Sequence, residues 1–313
     1  MVQAAGRSAL SRRQAMALLL GGAGGSLRAL SPPDGPPVRL AVSESLITDV
    51  NLNDARATML VFLKRMMADL NVTITVSPGV FDSTEEILRR ARSGQLDVVA
   101  LNVVEYRQIA DMLDSTQIIA EAAPLGLETY TLLVKKTSGV RDLGDLRGRR
   151  LTMLRAPKMC VAPAWLFNLL AAGHFAPTEQ FFSSVTSETK VSRVVLPVFF
   201  GQADACVTSK RGFDTMCELN PQVARELVPL ASSPAMVVTF YIFHKNYRGL
   251  SRDRFAKVYA DLPSSAAGRQ LATFFQFENL VVHDAACLEP SLAILRTAEH
   301  NRLHAGPAGR RGA

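Results

Sequence analysis

Short apolar runs alternate along this chain with longer amphipathic stretches, and the alternation is written out twice. Val38–Val42, 72–76, 97–101 and Tyr130–Lys135 have the length and β-branched content of strands. Between them, 54–70, Thr84–Arg92 and 103–113 carry helical spacing. Ser83 sits where an N-cap belongs, Glu86 takes the capping-box position, and Gly94 marks the stop. A second block follows the same grammar, with strands at Arg150–Leu154, 181–185 and 203–207, helices at 164–172, 191–200 and 213–219, and a return strand at 237–243. Helices at 252–260, 267–274 and 288–300 close the chain. Strands this apolar must be covered on both faces, so the expected class is α/β, with mixed sheets flanked by helices. Two blocks imply two lobes, with crossings near 130 and 238. No short internal repeat is evident.

The chain has 313 residues, 48% of them hydrophobic and 20% charged, which suffices for a large core. The formal charge of +7 invites a nucleic-acid reading until its position is considered. Arg7, Arg12, Arg13 and Arg28 precede position 31 with no acid among them, and without them the charge falls to +3. A nucleic-acid partner is therefore not expected. Ser11-Arg12-Arg13-Gln14 followed by ALLLGGAGGSL and SPPDGPP reads as an export signal and linker over 1–35, of twin-arginine type, with a plain basic leader as the alternative. The destination is then the periplasm. Cys160, Cys206, Cys217 and Cys287 have no metal or disulfide spacing. Cys206 and Cys287 read as packing residues, and a Cys206–Cys217 bridge stays open.

The order of four segments, SGQLDVVALNVVEY, ETYTLLVKKTSGVRDLGDLRGRRLTML, VTSETK and FFGQADACVTS, resembles the phosphate/phosphite/phosphonate substrate-binding proteins of ABC transporters over about 38–250. The resemblance implies a two-lobed type II periplasmic-binding-protein fold, of the Venus-flytrap kind. Lobe I would comprise 36–130 plus 240–300, lobe II 131–239, and 301–313 a disordered tail. It further implies hinged closure on a small anionic ligand and delivery to an ABC permease, with no cofactor, no metal and no chemistry on the ligand. A monomer is the expectation. A second reading keeps the fold and makes the chain a sensor subunit, binding an oxyanion or a thiophilic species such as arsenite and signalling to a membrane kinase. No GxSxG, HExxH or GxxxxGK[ST] motif argues for an enzyme.

Ligands in open α/β sheets lie beyond the carboxyl ends of strands, which directs attention to the loops there. Ser43 opens the first of them. Asn102 follows a lobe I strand, and Tyr106, one turn later, faces either cleft or core. In the loop RAPKMCVAPAW the resembling family carries hydroxyls, whereas here Ala156-Pro157-Lys158-Met159 stands in their place. Arg155 and Lys158 then offer charge-assisted contacts, or Lys158 points to solvent. Cys160, near a helix N-terminus and two cations, is expected to favour its thiolate as a soft ligand, or to be ordinary packing. Ser187 and Thr189 in VTSETK are hydroxyl donors, with helix capping as the alternative for Ser187. Thr208 ends a lobe II strand as a further donor. Arg211 argues against an amine-bearing ligand. Asp204 and Trp165 read as structural.

Overall fold

The computed structural model describes residues 36–47, 51–124, 126–261, 269 and 279–304. The expected leader, and all but Arg269 of the helix expected at 267–274, lie outside them. The strands are β1 Val38–Val42, β2 Ile74–Thr75, β3 Val98–Asn102, β4 Gln117–Glu121, β5 Tyr130–Lys135, β6 Arg150–Leu154, β7 Ser184–Glu188, β8 Ala205–Ser209, β9 Leu227–Ser232, β10 Thr239–Phe243 and β11 Leu280–Asp284. The helices are α1 Leu52–Leu70, α2 Thr84–Arg92, α3 Val103–Tyr106, α4 Ala162–Ala172, α5 Thr178–Phe181, α6 Val191–Phe199, α7 Lys210–Leu219, α8 Pro221–Glu226, α9 Arg252–Asp261 and α10 Glu289–His304. None of the described helices is long and apolar enough to cross a membrane.

Two mixed sheets result. The first runs β11-β4-β10-β3-β1-β2 and the second β7-β6-β8-β5-β9. In each, three parallel strands are joined by an antiparallel one that brings the chain across: β10 against β3, and β5 against β8. The chain leaves the first sheet after β4 and returns to it at β10, which makes the first sheet lobe I and the second lobe II. Residues of α1 at helical spacing, Ala55, Met59, Phe62, Leu63, Met66 and Leu70, are all buried. Each of the larger ones contributes about 1.5–3 kcal/mol by leaving water. Trp165 is buried on α4 beside Tyr130, a core residue as expected.

Both lobes hold their central parallel strands with the same device. Gly94-Gln95-Leu96-Asp97 leads into β3 and Gly201-Gln202-Ala203-Asp204 into β8, and each glycine has positive φ, 66° and 74°. The Asp97 carboxylate accepts from the Arg39 backbone N–H (2.8 Å), Nε (2.9 Å) and Nη2 (2.6 Å) on β1. Asp204 repeats this with Arg150 on β6, accepting from its backbone N–H (2.8 Å) and Nε (2.9 Å). Each arginine also donates to the carbonyl of its glycine, Gly94 or Gly201. The expected structural role of Asp204 is met by this pairing.

Several expectations change. Residues 103–113 form no single helix: α3 ends early, because Asp114 N–H bonds Phe243 O and Lys245 N–H bonds Met112 O, drawing the segment against the end of β10. β4, β9 and β11 were not expected. β9 contains Pro229, which a sheet tolerates there because the strand lies at an edge. The last helix, assigned to lobe I, instead lies along both lobes and continues past 300 to His304. Asn168 of α4 donates through Nδ2 to Ile294 O (2.8 Å) and accepts from Asn301 Nδ2 (3.1 Å), while Arg107 of lobe I pairs with Glu299 at 2.5 Å. All four cysteines are free, so no Cys206–Cys217 bridge forms.

The staple predicts a pH-dependent stability. Burial works to raise the Asp97 pKa, but the Arg39 hydrogen bonds and charge outweigh it and hold the group below its ordinary value. A depressed carboxylate stabilises the fold above the unfolded pKa of about 3.9 and loses that contribution as pH falls through the folded value. Asp97→Ala should therefore cost about 2 kcal/mol at pH 7 in urea unfolding. The gap to the unmutated chain should narrow steadily below pH 4.

Candidate ligand-binding cleft

The turn Glu44–Leu46, just after β1 in lobe I, packs against the turn Pro157–Met159, just after β6 in lobe II, so the carboxyl ends of these two strands face each other. On the lobe I side the donors converge on one side chain. Asn102 caps α3, its Oδ1 accepting from the N–H of Val104 (2.8 Å) and Glu105 (3.0 Å), and Glu105 closes a capping box on the Asn102 N–H (3.1 Å). The same carboxylate accepts from Ser43 Oγ (2.6 Å), Thr84 Oγ1 (2.8 Å) and Ser45 Oγ (3.1 Å). Asn102 Nδ2 completes the set by donating to Ser45 Oγ (2.9 Å). Ser43 is fully buried and Glu105 nearly so. The expected ligand donors Ser43 and Asn102 are thus engaged with a carboxylate of the chain itself. Tyr106 does not line the cleft: it is buried edge-to-face against Phe240, centroids 5.5 Å apart.

The loop after β6 turns from lobe II onto lobe I. Pro157 starts a 3-10 turn through Met159, with Lys158 in its middle. Lys158 Nζ lies 2.5 Å from Glu121 Oε2 at the end of β4 and 3.8 Å from Glu128 Oε1, so it is neither a solvated lysine nor an unengaged cation. Its carbonyl accepts from Tyr130 Oη (2.8 Å). Burial raises the Glu128 pKa, and the charges of Lys158 and Arg211 oppose that rise. Cys160 Sγ lies 4.0 Å from Val238 O. Burial pushes its thiol pKa up to about 12, and the nearby Glu105 charge adds to the effect. The expected thiolate is therefore overturned: desolvation exceeds what the adjacent helix end supplies.

Farther along lobe II the donors have no such partners. Arg155 follows β6, and its backbone N–H bonds Glu188 O (2.8 Å) while its exposed guanidinium has no polar partner among the described residues. Ser187 lies on β7, opposite Met153 in the parallel register, and is exposed; Thr189, two residues on, is half-buried. Neither hydroxyl caps α6, whose N-cap position is Lys190 with no side-chain bond. Thr208, near the end of β8, is fully buried, and its Oγ1 has no hydrogen-bond partner among the described residues.

Glu105, Glu121 and Glu128 were not singled out from the sequence. Asn102-Val103-Val104-Glu105 is a readable capping-box pattern. Glu121 and Glu128 had no such signal, since β4 itself was not foreseen.

Comparison with known proteins places this geometry in context. The model of the ABC transporter, phosphonate, periplasmic substrate-binding protein family matches residues 46–286, well over half of the chain. No significant match exists among curated protein sequences. The fold is similar to that of a binding protein component of an ABC phosphonate transporter from Pseudomonas aeruginosa, at 14% identity and a TM-score of 0.55, over 88% of this chain and 91% of that one. It is similar, again at 14% identity and a TM-score of 0.55, to a Prochlorococcus marinus protein solved with methylphosphonate, over 84% of this chain and 98% of that one. A Xanthomonas citri protein bound to chloride has a TM-score of 0.56 at 14% identity, over 86% of this chain and 99% of that one. Two mixed sheets joined by paired crossings, with loops meeting at their carboxyl ends, form a type II periplasmic-binding-protein fold. With the family match spanning both lobes, the chain belongs to the periplasmic substrate-binding proteins of phosphonate ABC transporters.

Proposed function

We propose that this chain captures a small oxyanion of phosphate or phosphonate type and delivers it to an ABC permease, and that lobe II does the recognising. The observation that carries the reading is the unsatisfied donor set at the carboxyl ends of β6 and β7. The guanidinium of Arg155 has no polar partner among the described residues, its backbone N–H is tied to Glu188 O at the end of β7, and α6, which starts at Val191 a few residues on, has no side-chain cap. Unpaired N–H groups and the helix dipole favour an anion at that position. Ser187 and Thr189 add hydroxyls at the end of β7, and Thr208 Oγ1, near the end of β8, is a buried polar group without a hydrogen-bond partner among the described residues. Among the described residues lobe I offers no comparable set, because Glu105 already accepts from its donors.

The thiophilic sensor reading gains nothing from the geometry. Cys160 is held as a thiol, and among the described residues no group of three His, Cys, Asp or Glu side chains is placed to hold a metal ion.

Thermal melting with phosphate, phosphite, methylphosphonate and methanesulfonate tests the oxyanion reading. At a hundred times Kd the bound anion should add about 2.7 kcal/mol of stability, seen as a rise of several degrees in Tm. Arg155→Ala should weaken the responding anion about ten- to a hundredfold, as the loss of a charge-assisted contact predicts. No response from any anion would count against the reading.

Thiol labelling examines Cys160 separately. With a pKa near 12 against an ordinary value of about 8.5, its thiolate fraction at pH 8 is about a thousandfold lower. Peptide mass spectrometry after brief iodoacetamide treatment should find Cys160 unmodified in the native chain and modified once urea is added.

A further inference from the structure

The strands of lobe I carry a second feature at the end away from the turn that meets lobe II. A cavity of about 630 Å3 is lined there by the first residues of β1, by Asp97 just before β3, and by the segment 246–251 between β10 and α9. A volume of this size suits a small molecule. Val38, Val72 and Leu250 give it an apolar wall. Among the described lining residues Asp97 is the one acid, against Arg39, Arg248 and Arg254. Arg39 answers Asp97 directly, through Nε and Nη2, so that pair adds no net charge.

The segment 246–251 holds its shape through local hydrogen bonds. Asn246 N–H donates to His244 Nδ1 (3.2 Å), Tyr247 N–H to His244 O (3.0 Å), and Leu250 N–H to Tyr247 Oη (2.8 Å). The Tyr247 ring stacks on Phe243, centroids 5.4 Å apart, and its hydroxyl passes so near Gly249 that a Cβ there would lie 2.3 Å from it. Only glycine fits at that position. Arg248 is oriented by the same segment, its Nη1 donating to Lys245 O (2.8 Å) and Tyr247 O (3.0 Å). Those neutral acceptors place the guanidinium without cancelling its charge. Asp114 feels that charge but is itself paired with Arg252. A shaped apolar wall beside a pre-positioned cation matches a molecule with an acidic head and an apolar body.

We propose that this cavity is a second binding site, for a small organic anion whose acidic head pairs with Arg248 and whose apolar body lies along Val38, Val72 and Leu250. It shares no residue with the lobe II donor set. The site therefore goes beyond the oxyanion reading and stands or falls independently of it.

The test is titration calorimetry on the full chain carrying Arg155→Ala, which removes the lobe II cation, with hexyl phosphate and inorganic phosphate as probes. Arg248→Lys or Arg248→Glu is then added. Arg248 is exposed, so both should fold, as far-UV circular dichroism will check. Hexyl phosphate should bind the Arg155→Ala chain and its Arg248→Lys derivative within about fivefold of each other, and the Arg248→Glu derivative at least about tenfold more weakly. Inorganic phosphate, which has no methylene groups to bury, should bind the Arg155→Ala chain at least about tenfold more weakly than hexyl phosphate does. Should Arg248→Glu fail to fold, Arg248→Gln carries the same comparison. Sedimentation with phosphatidylglycerol vesicles separates the two sources of such a head: binding lost with Arg248→Glu assigns it to a lipid, and a chain left in the supernatant assigns it to a soluble ester. Equal affinity for Arg248→Lys and Arg248→Glu, equal affinity for the two probes, or no heat from hexyl phosphate would overturn the site. None of these results bears on the oxyanion reading, which is judged on Arg155.

Discussion

A hydrogen-bonded ion pair between an aspartate at the start of one parallel strand and an arginine on its neighbour underlies both halves of this molecule. Asp97 with Arg39, and Asp204 with Arg150, each join a side-chain contact to a bond with the arginine's backbone N–H. Each therefore fixes a register as well as a charge pair. A slip of one residue would break both bonds and turn every side chain on the strand to the wrong face. With β1 locked to β3, and β6 to β8, the opposite ends of those strands are positioned too, and those ends carry the cleft.

From there the two lobes diverge. In lobe I a short helix begins with Asn102, and its third residue, Glu105, folds back as a cap. Because Ser43, Ser45 and Thr84 lie within reach, the cap becomes a carboxylate with a complete set of donors. An incoming anion would meet negative charge and no spare N–H or O–H group within that set. Lobe II follows the opposite pattern, its α6 uncapped and Arg155 without a polar partner among the described residues. The two lobes therefore present opposite surfaces to the space between them, one with its donors already used and one with donors to spare among the described residues.

The sequence read well where strands are short, apolar and central. Val38–Val42, Tyr130–Lys135 and Arg150–Leu154 appear with the bounds expected, because burial on both faces leaves little but β-branched and aliphatic residues. It read poorly at the antiparallel additions. β4 begins with Gln117 and ends with Glu121, leaving only three apolar residues between them, and β9 contains a proline, so neither shows the pattern of a buried strand. The packing of the named residues was less legible than their place in the chain. The turns after β1 and β6 do meet, but Tyr106 packs into the core and Ser43 and Asn102 serve Glu105. Cys160 shows the limit most sharply. A helix end and two cations are visible in sequence, whereas desolvation is a property of what folds over the sulfur, and it prevails.

The loop RAPKMC makes sense as a contact between lobes. A cradle for phosphoryl oxygens needs hydroxyls and free backbone N–H groups, and Ala156 and Pro157 provide neither side-chain donors nor, at Pro157, an N–H. Those losses matter little for a turn whose task is to seat against another surface. Proline at the first position of the 3-10 turn fixes φ and limits the conformations open to Lys158 before it meets its partners. A flexible, long side chain loses considerable rotamer freedom in such a pair, and exposed pairs of this kind contribute little. The Lys158 pair differs because its carboxylates are already buried by β4 and the crossing, so the lysine relieves a desolvation cost that the fold has incurred elsewhere. The turn thus couples the position of lobe II to the electrostatics of lobe I, and of the two cations in the loop Lys158 is the one held by carboxylates while the Arg155 side chain has no polar partner among the described residues.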